Sequence, residues 1–307
     1  MMIGVALPAG VEPTVNAVDE YVALAAEAAA VGLTAVWFSQ RFDADALSLA
    51  AIVGNRVEGI AIGTSVVPIY PRHPIVVAAQ ANTAQAASHG RFTLGLGLGA
   101  PQFLNRTFGV DATRPIRHLR EYLTVLDQLF EHGSSDVEGE TLVARTPRPA
   151  RLAGAGRPSI VVAAMGPQAL DVTGAQADGT LPYLAGPRAL QEFIVPRIGA
   201  AADRAGRRAP RIVVALNAVV TDDVEPVRAS LASSLDFYKQ VPSYRAVLAR
   251  EGITEPVDLA VIGDEGVLAA AVDRYREAGA TELVLTSTGA AGDEARRRTW
   301  AAAAALT

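Results

Sequence analysis

The stretch GTSVVPIYPRHPIVVAAQANTAQAASHGRFTLGLGLG, Gly63 to Gly99, reads as strand, stiff loop, helix and second strand in that order. Its first part, GTSVVPIYPRHP, follows an apolar run and carries prolines at 68, 71 and 74. Proline has a fixed φ and no N–H, so it suits a first helical position, where that N–H would lack a partner. A helix is therefore expected over 74–88. The last part, RFTLGLGLG, sets Gly95, Gly97 and Gly99 on one face of a strand and Leu94, Leu96 and Leu98 on the other. Glycine weakens a strand and often marks close approach by a ligand or by another backbone. A planar ring lying across that bare face and a helix packed tightly onto it fit the pattern equally. The spacing is not the GxGxxG of a dinucleotide fold.

The same rhythm extends in both directions. Apolar runs occur at Ile3–Leu7, Ala35–Ser39, Ile60–Val67, Phe92–Leu98, Ser159–Ala164, Gly179–Leu184, Ile212–Val220 and Leu283–Ser287. Helical spacing fills 16–31, 44–54, 74–88, 115–132, 167–175, 187–204, 264–278 and 291–305. Runs that are apolar throughout suit parallel strands buried on both faces, and strand–helix alternation makes a parallel α/β architecture. Eight strands are what a (β/α)8 TIM barrel requires. An open doubly wound sheet would also alternate, so the count only favours closure. Residues 133–157, with a short strand around Leu142–Arg145, and residues 221–262 interrupt the rhythm after the fourth helix and the seventh strand. Neither is a flexible linker, and both are expected as embellishments of one domain spanning 1–307.

Composition narrows the function classes. With 27 Lys+Arg against 32 Asp+Glu the net charge is −5, which lacks the clustered positive charge of a nucleic-acid binder. The run Arg296-Arg297-Arg298 is expected to be a solvated helix face. Cysteine is absent, so disulfides, thiol nucleophiles and cysteine-ligated metals are ruled out. His73, His89, His118 and His132 show no HxxxH or HExxH spacing, and no metal site is expected. No uninterrupted apolar stretch reaches the ~18 residues of a membrane span, and Met1–Pro8 lacks the basic start of a signal peptide. A cytoplasmic protein acting on a small-molecule substrate is expected, without nucleic-acid or membrane partners.

Barrel chemistry gathers at the C-terminal ends of strands, here Gln40-Arg41-Phe42, Thr64–Pro74, Gly97–Gln102, Ala163–Pro167 and Thr180–Tyr183. The segment IVVAAMGPQAL, Ile160–Leu170, reads as strand, Gly-Pro and helix, and free N–H groups at such a helix start make an anion site. Many strand-to-helix turns have this pattern and hold no phosphate. His73 is the histidine best placed for chemistry, although a lone loop histidine also serves structure. His89 precedes Gly90 at a helix C-terminus, and His118 and His132 lie on a helix and do not pair. No Ser/His/Asp set or close carboxylate pair is readable, which suggests that a cofactor carries the hard chemistry.

Taken together, Gly63–Gly99, REYLTVLDQLF (120–130), VVAAMGPQAL (161–170), ADGTLPYLAGPRAL (177–190), PSYRAVLAREG (242–252) and DLAVIGDEGVLAAAVDRYREAGATELVL (258–285) resemble the luciferase-like monooxygenase superfamily. More narrowly they resemble its coenzyme F420-dependent branch, which includes methylenetetrahydromethanopterin reductase. That resemblance implies a bulge with a non-proline cis peptide at Ser65-Val66, backing a deazaflavin ring. It implies ring contacts at Gly97, Leu98 and Gly99, a phosphate-binding turn at Ala163, Ala164, Met165 and Gly166, and a contact from Thr180 to the cofactor tail. It also implies a homodimer. After the second strand relatives carry Asp-His where this chain has Gln40-Arg41, and Gln40 is kept among the cofactor contacts. After the fourth strand a proton-moving Glu of the sugar-phosphate dehydrogenase corresponds to Ala100. Both departures weigh against sugar-phosphate chemistry and leave the proton donor open among His73, Gln102, Asn105 and Tyr70. The expectation is hydride transfer between the ring C5 and a small organic substrate. The alternatives are an FMN-dependent monooxygenase of the same fold and a barrel that binds such a cofactor without turnover.

Overall fold

Runs of Val, Ile and Leu without polar alternation become strands that are buried along their length, as in RIVVALNAVV, where only the first residue is not fully enclosed. The computed structural model describes residues 1–8 and 16–307. In chain order the strands are β1 (Met2–Ala6), β2 (Ala35–Phe38), β3 (Ala61–Thr64), β4 (Val67–Pro68), β5 (Phe92–Gly97), β6 (Asp136–Glu138), β7 (Val143–Arg145), β8 (Ser159–Val162), β9 (Gly179–Thr180), β10 (Arg211–Val220), β11 (Val261–Gly263) and β12 (Glu282–Thr286). The helices are α1 (Ala17–Ala30), α2 (Ala46–Arg56), α3 (Pro74–Ala87), α4 (Pro101–Phe108), α5 (Pro115–His132), α6 (Pro167–Gln176), α7 (Pro187–Ala189), α8 (Val195–Arg204), α9 (Val224–Leu235), α10 (Pro242–Glu251), α11 (Glu265–Glu277) and α12 (Asp293–Ala304). Proline opens α3, α4, α5, α6, α7 and α10, the position where its missing N–H costs nothing. Among the described residues no helix is long and apolar enough to cross a membrane.

The chain forms two compact units. The first comprises Met1–Trp37, Leu181–Arg197 and Arg211–Thr307. There β1 lies between β12 and β2, β10 pairs with β12, and β11 extends β10, all in parallel. Register places Val5 opposite both Leu285 and Val36, and all three side chains are fully buried. A second apolar cluster, with Leu184, Val219, Val227, Leu231, Leu235, Leu248 and Val257, seats α9 and α10. Residues 221–262 thus fold as helices around their own small core, ending in a strand, β11, that periodicity did not reveal.

Arg296 corrects an expectation. Its side chain is 3% exposed, paired with Glu27 at 3.0 Å and Asp293 at 3.4 Å, and its guanidinium lies 4.6 Å from the centre of the Trp300 ring. It sits one turn before the fully buried Trp300, so it shares the inward face of α12. Arg297 and Arg298 carry the more exposed part of that run.

The second unit comprises Phe38–Thr180 and Ile198–Pro210. Its parallel sheet runs β3, β5, β8, β9, with β4 beside β5 further along. The short strand expected near residue 142 is β7, and it pairs antiparallel with β6 as a separate ribbon. The apolar run 60–67 is not one strand but two, because the chain bulges between them. The helix α4 interrupts what the sequence suggested was a loop, and the helix expected over 187–204 contains a π turn at Leu190–Ile194.

Candidate functional site

From Gly63 to Val67 the chain takes four steps, while its neighbour takes three from Thr93 to Leu96. One extra residue in a paired strand is a β-bulge. Ser65 and Val66 form it, and the peptide between them is cis. The fully buried Thr64 holds its base. The Thr64 hydroxyl donates to the Gly95 carbonyl at 3.0 Å and accepts from the Gly95 N–H at 2.9 Å. The Ser65 N–H donates to the Phe38 carbonyl at 2.8 Å, and the Ser39 hydroxyl donates to the Ser65 carbonyl at 3.0 Å. The Ser65 hydroxyl oxygen itself is buried and without a hydrogen-bond partner among the described residues.

This bulge explains the glycine face of β5. A Cβ on Gly95 would lie 1.7 Å from the Thr64 carbonyl oxygen, and one on Gly97 would lie 2.5 Å from Val66 Cγ2. At those two positions the bare face accommodates the neighbouring bulge, which was neither of the two readings its parity allowed. Gly99 differs. It is exposed, its φ is 75°, and an added Cβ would meet Leu104 of α4 at 3.1 Å.

The turn after β8 is held equally firmly. The Ala163 N–H donates to the Leu96 carbonyl at 2.8 Å, and the Ala164 N–H folds back to the Val162 carbonyl at 2.7 Å. The Thr180 hydroxyl, fully buried, donates to the carbonyls of Val162 at 3.0 Å and Ala164 at 2.9 Å. Thr180 therefore braces the turn from inside. Beyond it, Met165 is buried and Gly166 opens α6, whose first turn no side chain caps. A Cβ on Gly166 would meet nothing within 4 Å. Free first-turn N–H groups, the helix dipole and this open space together suit an anion.

A polar cluster surrounds the loop between β4 and α3. The Gln40 amide nitrogen donates to the carbonyls of Arg41 (2.8 Å) and Ala44 (3.3 Å). Its oxygen accepts from the Ala46 N–H (3.1 Å) and Arg72 Nη2 (3.0 Å). Gln40 thus organises the entry to α2. Asp45 caps that helix through the Ser48 N–H at 2.8 Å and pairs with Arg72. Burial pushes the Asp45 carboxyl up, but hydrogen bonds from Arg72 and Ser48 more than offset this and hold it below its ordinary value. Arg72 Nη1 and the hydroxyl of the fully buried Tyr122 are both buried without a partner among the described residues.

Tyr70 stacks on His118, with ring centroids 4.2 Å apart and 15° between planes. His118 Nδ1 lies 3.1 Å from the Thr141 hydroxyl, which donates to Glu121 at 2.6 Å. Burial lowers the His118 imidazole and raises the Tyr70 phenol. His73 caps α3. Its Nδ1 accepts from the Ile75 N–H at 3.3 Å and its Nε2 lies 2.9 Å from the Val143 carbonyl. Both ring nitrogens are thereby engaged with backbone. Gln102 and Asn105 stand exposed on α4. Sequence reasoning overlooked Asp45, Arg72, Tyr122 and the stack on His118. The signals were an Asp directly before a helical apolar run, and His118 and Tyr122 four residues apart on one helix.

Residues 1–296 match the model of the luciferase-like monooxygenase family. An F420-dependent hydroxymycolic acid dehydrogenase of Mycobacterium tuberculosis is 31% identical over 293 residues, covering 87% of this chain and 78% of that one. The coenzyme F420-dependent tetrahydromethanopterin reductase of Methanopyrus kandleri is 19% identical and superposes with a TM-score of 0.81 over 99% of this chain and 97% of its own. The oxygenating constituent of 3,6-diketocamphane monooxygenase from Pseudomonas putida, solved with FMN, is 17% identical with a TM-score of 0.75 over 98% and 96%. These likenesses show the expected fold class, the luciferase-like (β/α)8 barrel. The family match runs along nearly the whole sequence and takes in both the bulge and the turn after β8, so the chain belongs to the luciferase-like monooxygenase family.

Proposed function

We propose that this chain is an F420-dependent oxidoreductase transferring a hydride between C5 of the deazaflavin ring and a small organic substrate. The observation that carries the reading is the 31% identity, over 87% of the chain, to a relative named as F420-dependent. Local geometry supports it. The buried, unpartnered Ser65 hydroxyl needs a polar partner, which the edge of a bound ring would supply. Ser65, Val66 and Gly97–Gly99 would hold the ring, and the open turn Ala163–Gly166 would take a phosphate of its tail.

When bound, the coenzyme supplies the hydride at C5. The chain supplies orientation and the proton that accompanies it. Of the four groups the sequence left open, Gln102 and Asn105 stand in solvent and His73 is engaged at both nitrogens. Tyr70 remains, a phenol that is protonated at neutral pH and that burial holds protonated still further above it. Tyr70→Phe is expected to lower kcat by a hundredfold or more, about what a general acid contributes, with a smaller change in KM. An unchanged kcat would remove Tyr70 from this role.

The reading is tested by titrating the protein with F420 and, separately, FMN while following tryptophan fluorescence. Saturable F420 binding with negligible FMN binding supports hydride transfer. Preference for FMN moves the chain to the oxygen-using reading that the FMN-bound neighbour represents. Binding of neither sinks the cofactor assignment.

A further inference from the structure

Three phenylalanines of the second unit stand in water, and they stand together. Phe42 is 79% exposed, Phe103 39% and Phe108 41%. Their ring centroids lie 6.2 Å (Phe42 to Phe103), 6.4 Å (Phe42 to Phe108) and 6.2 Å (Phe103 to Phe108) apart. Scattered apolar residues on a surface need no explanation, whereas a contiguous apolar patch marks a binding surface.

The backbone holds these rings outward. Phe42 sits in a turn closed by the Arg41 N–H donating to the Ala44 carbonyl at 3.2 Å. Arg41 grips Asp43 through two hydrogen bonds of 2.8 and 2.9 Å, so Phe42 lies between the two ends of a bidentate ion pair. The helix α4 leaves most of its apolar face uncovered. Its one buried residue, Leu104, faces Gly99, while Phe103 and Phe108 face water. Both arms of the patch grow from strand ends that carry the candidate site. Phe42 is two residues beyond Gln40, and α4 begins directly after Gly97–Gly99 and Ala100.

We propose that Phe42, Phe103 and Phe108 bind the apolar tail of the substrate, which makes the substrate class a carbonyl compound bearing an extended alkyl or aryl group. This rests on the hydride-transfer reading. The carbonyl carbon gains the hydride, its oxygen gains a proton to give an alcohol, and the reduced deazaflavin is oxidised. An extended tail gains contact area on a pinned aromatic surface that needs no reordering to receive it.

The test runs the 2-alkanones from butanone to undecan-2-one with the reduced coenzyme. Wild-type kcat/KM is expected to rise by up to about fourfold per methylene, the limit for full burial. The double substitution Phe42→Ser, Phe103→Ser is expected to flatten that rise, with the melting temperature and coenzyme affinity kept. A flat series in the wild type, or an equally steep one in the variant, overturns the proposal. So does a variant whose sedimentation shifts to a smaller species, which would assign the patch to a second copy of the chain. If no ketone turns over, the F420 and FMN titrations decide the hydride-transfer reading on their own, and the patch is read separately. Saturation-transfer NMR with undecan-2-one and the protein alone is then expected to mark the terminal methyl in the wild type and not in the variant. No transfer in the wild type overturns the proposal.

Discussion

Two aromatic triads, one in each unit, pack with comparable ring spacing in opposite surroundings. Tyr183, Tyr238 and Tyr244 meet edge to face at 5.3, 6.3 and 4.6 Å and lie against the apolar cluster that seats α9 and α10. Phe42, Phe103 and Phe108 are spaced at 6.2–6.4 Å and stand exposed. Hydropathy alone would place them the other way round. The tyrosines pack partly buried against that cluster, and Tyr183 does so with its polar end partnered. The Tyr183 hydroxyl donates to Asn217 Oδ1 at 3.2 Å and accepts from its Nδ2 at 3.0 Å, and the same Oδ1 accepts from Thr286 and Ser287. The phenylalanines have no such account inside their own unit. An aromatic with a satisfied partner is explained by the fold, and one held in water by a built turn is explained by what it binds.

Removing one ring from each triad breaks the comparison most directly. Tyr244→Ala leaves a cavity within packed α9, α10 and the turn between them and is expected to cost about 3 kcal/mol, the lower end for a buried aromatic. Urea unfolding followed by circular dichroism measures it. A loss below about 0.5 kcal/mol, the range of ordinary surface substitutions, would show that the tyrosine triad does not stabilise its unit.

Titration separates the triads next. Asp45 is held below its ordinary value of 3.8, so the stability it contributes is present above that value and is lost as pH falls through the lower folded one. Asp45 anchors Arg72 and caps α2, just past the turn that carries Phe42. The tyrosines behave in the opposite sense. Burial raises the phenols of Tyr183 and Tyr244 above 10.0, so their contribution is full below that value and declines as pH rises past it. Asp45→Asn is therefore expected to flatten the fall in stability between pH 5 and 3, and Tyr183→Phe to flatten the fall above pH 10. Urea midpoints across pH decide each. Unchanged slopes in either variant would refute the corresponding linkage.

Much of this fold was readable because its strands are continuous apolar runs, and six of the eight form single paired strands close to the predicted limits. Periodicity failed where backbone geometry changes without a change in residue character. The run Ile60–Val67 stays apolar through the bulge, so nothing in its pattern marks the extra residue at Ser65-Val66. The run Gly179–Leu184 pairs as a strand only at Gly179–Thr180, with an isolated bridge from Tyr183 to Ala215. The helix α4 was hidden for another reason. It is only eight residues long, and of its apolar Phe103, Leu104 and Phe108 only Leu104 is buried, so too few turns repeat the pattern by which amphipathic helices are recognised. Its ends were nonetheless written in the sequence, with Pro101 at the start and Gly109, at φ 66°, just past the finish. The candidate site was legible as turns, because glycine and proline declare them. The side chains around it were not. Gln40, Thr180 and His73 carry the right chemistry, but hydrogen bonds to local backbone employ them in shaping loops.

The smallest expected effect is the most telling. Phe42→Ser removes a ring that is 79% exposed, from a turn whose closure depends on Arg41, Asp43 and Ala44 and not on the ring. Its cost in stability is expected to lie within about 0.5 kcal/mol of zero, as for surface positions generally. The sign can even be favourable, since the unfolded chain and the native turn both leave the ring in water. The urea midpoint of the variant, set beside that of Tyr244→Ala, decides the matter. A loss above about 1 kcal/mol would mean that the phenylalanine triad stabilises its unit as the tyrosines do, and the contrast between them would collapse. A loss near zero removes stability as the reason for the patch, and leaves recognition as the property that an exposed, pinned cluster of aromatic rings can serve.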